Sequence, residues 1–545
     1  MKDAVQAVDV QIKERLTLYD TTLRDGQQTQ GVHFTVEEKR EIAGMLDALG
    51  FDYVEGGWPG ANDTDAAFFD APPRLTRATF AAFGMTKRAG RSAANDETLA
   101  AVVNAGTPAI CLVGKTHPFH VATALGTSLE ENRAAIADSV GHVVARGREA
   151  LFDAEHFFDG YADDPAYAVD CLNAALEAGA RWVVLCDTNG GTMPEEIGAV
   201  VERVIASGVP GDRLGIHTHD DTGQAVAGAL AAVRAGARQV QGTLNGLGER
   251  CGNADLTTLL PTLLLKAPYA ARFETGIAAD ALPRLRAASL RLDDILNRTP
   301  PAQRPYVGAA AFAHKAGLHA SAILKDPATY EHVPPEAVGN ARVIPMSKQA
   351  GRSNLRRRLQ DAGLDGATDA QLSAILADVK AREARGYEYD RAEASFEVLA
   401  ARHMGVLPDH FSVERYRVTV ERRRDRRGRA ITLSEAVVAL VIDGEKRLSV
   451  SESLDPEGGD AGPVNALSRA LARDLGPLQD RVGDMELVDF RVRIAGRGTD
   501  AVARVTIDHA DGAGRRWSTV GAGPNIVDAS FEALLDAIRW KLWRD

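Results

Sequence analysis

Two histidines, His217 and His219, stand two residues apart in "LGIHTHDDTGQAVA" (214–227), directly behind a short apolar run. Side chains on a β-strand alternate with period two, so both imidazoles leave the same face. Two neutral imidazoles aimed at one point can share a divalent cation if a carboxylate joins them. Such a mixed nitrogen and oxygen set suits Mn²⁺, Mg²⁺ or Zn²⁺ and leaves positions open for substrate oxygens. Carboxylates at the end of another apolar run are found in "YDTTLRDGQQ" (19–28), which carries Asp20, Arg24 and Asp25. Three more runs end in polar residues. Glu155 and His156 follow "REALFDA", Asp187, Thr188 and Asn189 lie in "CDTNGG", and Asn245, Glu249, Arg250 and Asn253 lie in "NGLGERCGNADL". Asp220 and Asp221 either orient a ligating imidazole or cap the next helix; the cap is the expected role.

The elements that would position these residues repeat. Eight β-rich runs (16–22, 52–57, 79–84, 109–114, 148–156, 182–188, 213–219 and 239–246) alternate with Ala-rich segments such as "TVEEKREIAGMLDALG". The apolar residues of those segments recur every three or four positions, and several segments end in Gly, as helices do. The pattern predicts an α/β protein, a parallel (β/α)₈ TIM barrel over 1–280, whose active site lies at the C-terminal ends of the strands. An open doubly wound sheet is the alternative, but no glycine-rich dinucleotide loop follows the first run. Residues 281–405 read as mostly helical, interrupted by the loop-rich "AAFAHKAGLHASAILKDPATYEHVPPEAVGN". Residues 406–545 form a third region, α+β, with period-2 strands such as "FSVERYRVTVERR" and two helical segments. The basic run "ERRRDRRGR" (421–429) falls between two strands and reads as a solvated hairpin tip, not a nucleic-acid patch.

Composition narrows the function. The chain has 545 residues and a formal net charge of −12, which argues against general nucleic-acid binding. Four scattered cysteines (Cys111, Cys171, Cys186, Cys251) give no disulfide framework and fit a reducing cytosol. The N-terminal segment lacks the apolar core of a signal peptide, and no apolar run is long enough to span a bilayer. The expectation is a cytoplasmic protein without membrane association.

"LYDTTLRDGQQTQG" and "GIHTHDDTGQAVAGALAAVRAGARQVQGTLNGLGERCGNADL" together resemble the acetyl-CoA-dependent 2-oxoacid condensing enzymes: the 2-isopropylmalate, homocitrate and citramalate synthases, relatives of 3-hydroxy-3-methylglutaryl-CoA lyase. The resemblance extends through "FAHKAGLHASAILKDPATYEHV" and into the last region, which is similar to the α+β regulatory domain of isopropylmalate and citramalate synthases. It implies an acyltransferase with a divalent metal ion held by Asp25, His217, His219 and Asn253. Arg24 would steady the oxoacid carbonyl and the developing alkoxide, Thr188 would bind the oxoacid carboxylate, and Glu155 would act as base on the acetyl group. His319 and Tyr330 would reach into the barrel of a second subunit, which implies a homodimer with shared active sites.

The chemistry suits the residue types. A divalent ion chelated by a 2-oxoacid polarises its ketone, a guanidinium stabilises charge developing on the former carbonyl oxygen, and a carboxylate near the thioester methyl can take its proton. On the oxoacid, "EGGWPG" (55–60) and "FFDGY" (157–161) are similar to one branch of citramalate synthases, which use pyruvate. Trp58, Phe157 and Phe158 would fill space that a larger oxoacid needs, or else pack the barrel rim. "VGKTHPFHV" (113–121) departs from the family form after the fourth strand. The resemblance further implies isoleucine biosynthesis, with isoleucine as effector. "GAGPNIVDAS" (521–530) is either part of an effector site or a helix start capped by Asn525. The rivals are a synthase for a larger oxoacid, a metal-dependent C–C lyase and a non-catalytic metabolite sensor.

Overall fold

The computed structural model describes residues 13–278, 280–344, 352–424, 430–455, 462–473, 475–495 and 501–545. These fall into two compact units, Met1–Phe312 with Val333–Ala341, and Ala313–His332 with Arg342–Asp545.

The first unit is a closed barrel of eight parallel strands, as the alternation of runs predicts. They are β1 (Thr17–Asp20), β2 (Tyr53–Glu55), β3 (Thr79–Met85), β4 (Ala109–Lys115), β5 (Glu149–Glu155), β6 (Trp182–Asp187), β7 (Leu214–Thr218) and β8 (Gln239–Gly242). β1 pairs in parallel with both β2 and β8, which closes the ring and leaves no open edge. Tyr19, Phe83, Cys111, Leu151 and Trp182 fill the interior. The helices start and stop where local chemistry directs. Val36–Leu49 opens on a capping box between Thr35 and Glu38 and ends at Gly50, whose φ of 104° a side chain would resist. Leu285 and Leu292, on the helix Leu285–Ile295, are buried in the barrel's outer core.

The second unit has two antiparallel three-stranded sheets. One holds β9 (Ser412–Arg424), β10 (Ala430–Ile442) and β11 (Glu445–Asp455); the other holds β12 (Glu486–Ala495), β13 (Val502–Ala510) and β14 (Arg516–Gly523). The helices Pro463–Arg473 and Ile526–Arg544 cover one face of them. Asn525 accepts from the Val527 amide and caps the last helix, the second of the two roles expected for that turn. β14 is not among the strands that the sequence pattern suggests, because its two glycines read as a turn. Gly521 is needed there for packing: a Cβ would lie 1.9 Å from the Ala529 carbonyl oxygen. β9 and β10 pair out to Arg424 and Ala430, as a hairpin requires, while residues 425–429 of the basic run lie outside the described residues. All four cysteines are free, and no helix among the described residues is long and apolar enough to cross a membrane.

Candidate active site

The strand ends of the barrel bring acidic, basic, imidazole and aromatic side chains to one cavity of about 330 Å³. At its base sit the two histidines. His217 Nε2 lies 3.3 Å from His219 Nε2 and 3.3 Å from Asp25 Oδ2, and His219 Nε2 lies 3.8 Å from the same carboxylate oxygen. All three residues are buried, and one ligand atom from each lies within 4.8 Å of the others. The common direction expected of the H-x-H pair is therefore realised.

Hydrogen bonds fix how the cluster can act. His217 Nδ1 is 2.8 Å from Gln241 Oε1, and Gln241 Nε2 donates to Asp153 Oδ1 at 3.0 Å. An amide whose nitrogen serves Asp153 must accept at its oxygen, so His217 carries a proton on Nδ1 and presents Nε2 to Asp25, whose carboxylate raises the tendency of the ring to take a second proton there. His219 is pushed down to about 4, first by burial and then by the charge of His217, so its ring is neutral at pH 7. Burial opposes ionisation of Asp25, but Arg24 and His217 hold its carboxyl well below the usual carboxylate range.

Asn253 lies next to His219, to which a β-bridge pairs it, and its Nδ2 donates to the Leu247 carbonyl at 3.1 Å. Its Oδ1 and Asp25 Oδ1 are buried without a hydrogen-bond partner. Buried acceptors left unpaired are costly, and a hard or borderline divalent cation is the partner that two imidazoles, a carboxylate and an amide oxygen fit. Gly248 makes this placement possible, since a Cβ there would lie 2.1 Å from Asn253 Nδ2.

Arg24 stands beside the cluster. Its Nε donates to Glu55 Oε2 at 2.7 Å, Nη1 lies 3.2 Å from Asp25, and the guanidinium stacks 4.0 Å over the Phe83 ring. Burial disfavours its charge, but Glu55, Asp25 and Asp153 outweigh that and keep it firmly cationic. Thr188 Oγ1 accepts from the His156 amide at 2.8 Å, which frees its own proton for a ligand. His156 adopts a left-handed backbone, φ 59°, next to Glu155. Glu155 lines the cavity and pairs with Lys115, Nζ to Oε2 at 2.5 Å.

The remaining expectations resolve in different ways. Asp220 Oδ1 accepts from the Ala225 amide at the start of a helix, so it caps. Asp221 is held bidentately by Arg250, and neither aspartate bonds an imidazole among the described contacts. Trp58 lines the cavity, edge-on to Phe83 at 5.8 Å. Phe157 and Phe158 do not: both are buried in the outer core, because the chain turns into a helix at Phe157 and points them away. His319 and Tyr330 belong to the second unit, where both are exposed and their rings stack at 3.9 Å. Sequence reasoning missed Lys115, Glu55, Asp153 and Gln241. Lys115 ends "AICLVGK" and the strand-end rule would have found it; the others are polar residues inside buried strands.

Residues 15–287 match the family model described as HMGL-like. Residues 306–386 match a homocitrate synthase post-HMGL domain-like model, and 367–542 match a LeuA allosteric (dimerisation) domain. The (R)-citramalate synthase of Aquifex aeolicus is 43% identical over 98% of both chains. That of Streptomyces coelicolor is also 43% identical over 98% of both. The chain belongs to the (R)-citramalate synthase family. A probable 2-isopropylmalate synthase of Methanopyrus kandleri is 33% identical over 96% of this chain and 98% of its own. Both kinds of synthase align over nearly the whole chain, and the difference in identity favours the citramalate branch that "EGGWPG" suggested.

Proposed function

We propose that the chain condenses pyruvate with acetyl-CoA and water to (R)-citramalate and CoA. Near-full-length similarity to several (R)-citramalate synthases carries this reading, and the cavity chemistry supports it. Asp25, His217, His219 and Asn253 would hold a divalent cation, Mn²⁺, Mg²⁺ or Zn²⁺, which supplies Lewis-acid polarisation of the oxoacid ketone. Thr188 donates to the pyruvate carboxylate. Arg24, locked by Glu55, faces the ketone oxygen with its remaining N–H groups and stabilises the negative charge that builds there. Glu155 takes a proton from the acetyl methyl. Trp58, Phe83, Met85 and Val113 form an apolar wall that accepts a methyl group and crowds a branched side chain. Hydrolysis of the product thioester then pulls the reaction forward.

We infer a homodimer in which His319 and Tyr330 of each chain serve the barrel of the other. Their exposure and the match to a dimerisation domain support this. Isoleucine is the inferred effector, acting through the second unit and placing the enzyme in isoleucine biosynthesis. The deciding assay follows free thiol release with a panel of oxoacids. Pyruvate should be used best; faster turnover with 2-oxoisovalerate would make the chain a 2-isopropylmalate synthase. Isoleucine should inhibit the intact enzyme, and activity indifferent to it would remove the feedback reading.

A further inference from the structure

Two oxygens gain negative charge when acetyl-CoA adds to an oxoacid: the ketone oxygen, and before it the thioester oxygen, as the methyl loses its proton. Arg24 serves the first. The second needs a donor of its own, and two other cations line the cavity. Arg250 is committed, since it binds both Asp221 oxygens at 2.8 Å and the Thr188 carbonyl at 2.8 Å. Lys115 is not. Its ammonium carries three donors, and Glu155 engages one.

The backbone holds this pair in place. Lys115 and Glu155 are partners in the parallel register of β4 and β5, so neighbouring strand ends project them side by side. The Thr116 amide and hydroxyl both donate to the Glu155 carbonyl, at 3.1 and 2.9 Å, and Asn132 Nδ2 donates to the Lys115 carbonyl at 2.8 Å. Both side chains are largely buried, 15% and 25% exposed, yet both reach the cavity. A methyl placed beside the Glu155 carboxylate thus has its carbonyl oxygen beside the neighbouring ammonium.

We propose that Lys115 is a catalytic residue that donates a hydrogen bond to the thioester oxygen of acetyl-CoA while Glu155 deprotonates the methyl. This rests on the synthase reading. Glu155 accepts the methyl proton, the C–H pair forms the carbon–carbon double bond, and the carbonyl π pair moves onto the oxygen held by Lys115. The carbon then attacks the ketone of pyruvate. The carbon–carbon π pair forms the new C–C bond, and the pair on the oxygen held by Lys115 re-forms the thioester carbonyl. The ketone π pair moves to the oxygen facing Arg24, and the proton held by Glu155 passes to that oxygen. No net proton is gained or lost.

The test compares the parent enzyme with Lys115→Met and Lys115→Gln in steady-state assays with acetyl-CoA and trideuteroacetyl-CoA. Loss of one donor to a developing oxyanion lowers kcat by about 10²–10³-fold. That loss is expected in Lys115→Met and a smaller one in Lys115→Gln, whose amide keeps a neutral donor, with the pyruvate KM unchanged in both and a primary isotope effect on kcat at least as large as the parent's. A variant that raises the acetyl-CoA KM but leaves kcat intact would overturn the proposal, since Lys115 would then only hold the CoA chain. A lower kcat without an isotope effect would overturn it too, because proton removal would not be the step affected. Two variants guard against one failing to fold. A parent that turns over no oxoacid would instead overturn the synthase reading, and this proposal with it.

Discussion

His217 shows how much a single side chain depends on one beyond it. Its ring could face Asp25 with either nitrogen, and the amide of Gln241, pinned by Asp153, selects Nε2. Replacing Gln241 by leucine removes that selection without touching a ligand. Partners of this kind are worth about 10–100-fold in metal affinity, so titration calorimetry with Mn²⁺ should show a weakening of that order; unchanged affinity would mean that the tautomer is fixed otherwise. Under the proposed function, Trp58 would govern a different choice, since it lines the cavity. One methylene in a pocket is worth about 10–200-fold in discrimination. Trp58→Ala should therefore raise kcat/KM for 2-oxobutyrate relative to pyruvate by roughly tenfold, which competition between the two oxoacids measures directly. The cluster itself was partly legible beforehand: H-x-H and "DTTLRDG" announced themselves by residue type, and Asp25, His217 and His219 do converge. Phe157 and Phe158 did not behave as their sequence proximity to Glu155 suggested, because the helix that begins at Phe157 turns both rings into the core.

At the scale of elements, β13 carries a buried titratable group far from chemistry. His509 is 3% exposed, stacks on Trp517 across the register with β14, and is pushed down to about 4 by burial. Its ordinary value of 6.5 is the unfolded reference. A depressed pKa means that its contribution to stability is fully present above pH 6.5 and is lost as pH falls toward 4. At 1.36 kcal/mol per unit, the loss is at most about 3 kcal/mol. His509→Phe should flatten the fall in denaturation midpoint between pH 6.5 and 4; a slope equal to the parent's would assign acid sensitivity to other groups. β14 itself illustrates a limit of pattern reading. Gly521 and Gly523 resemble turn residues, yet Gly521 is small because the last helix presses its backbone against it.

At the scale of the whole molecule, the outer face of the β10–β11 hairpin is unusual. Ser449, Ser451 and Ser453 point inward, while Leu448, Val450 and Leu454 are 57%, 41% and 51% exposed. Exposed apolar stripes of this kind mark interaction surfaces, and we infer a partner on the outside of this strand. The inferred partner is a second copy. Leu448→Glu, at an exposed position, should leave each chain folded but weaken self-association, as sedimentation velocity would read. If the shared-site reading holds, activity should fall with the dimer; a dimer as tight as the parent's would move the interface elsewhere. The helix Glu393–Met404 is not separable from the strands and helices C-terminal to it, because Phe396 and Leu399 share one core with Val520. The boundary expected near 405 passes through that core, so isoleucine inhibition is better tested on the intact chain than on a truncation.

What the sequence determined by itself was whatever depends on local periodicity and on residue type: eight alternating runs, hence a barrel; polar strand ends, hence a rim that does chemistry; and two motifs in order, hence a family. The tertiary structure decided what depends on distance between strands that are remote in sequence. Glu55 meets Arg24, Gln241 and Asp153 fix His217, and Lys115 meets Glu155 because barrel closure brings these residues together. No spacing along the chain encodes those contacts. The reason is geometric: a strand's period tells which face a side chain takes, but only the register between strands tells which side chain waits opposite it.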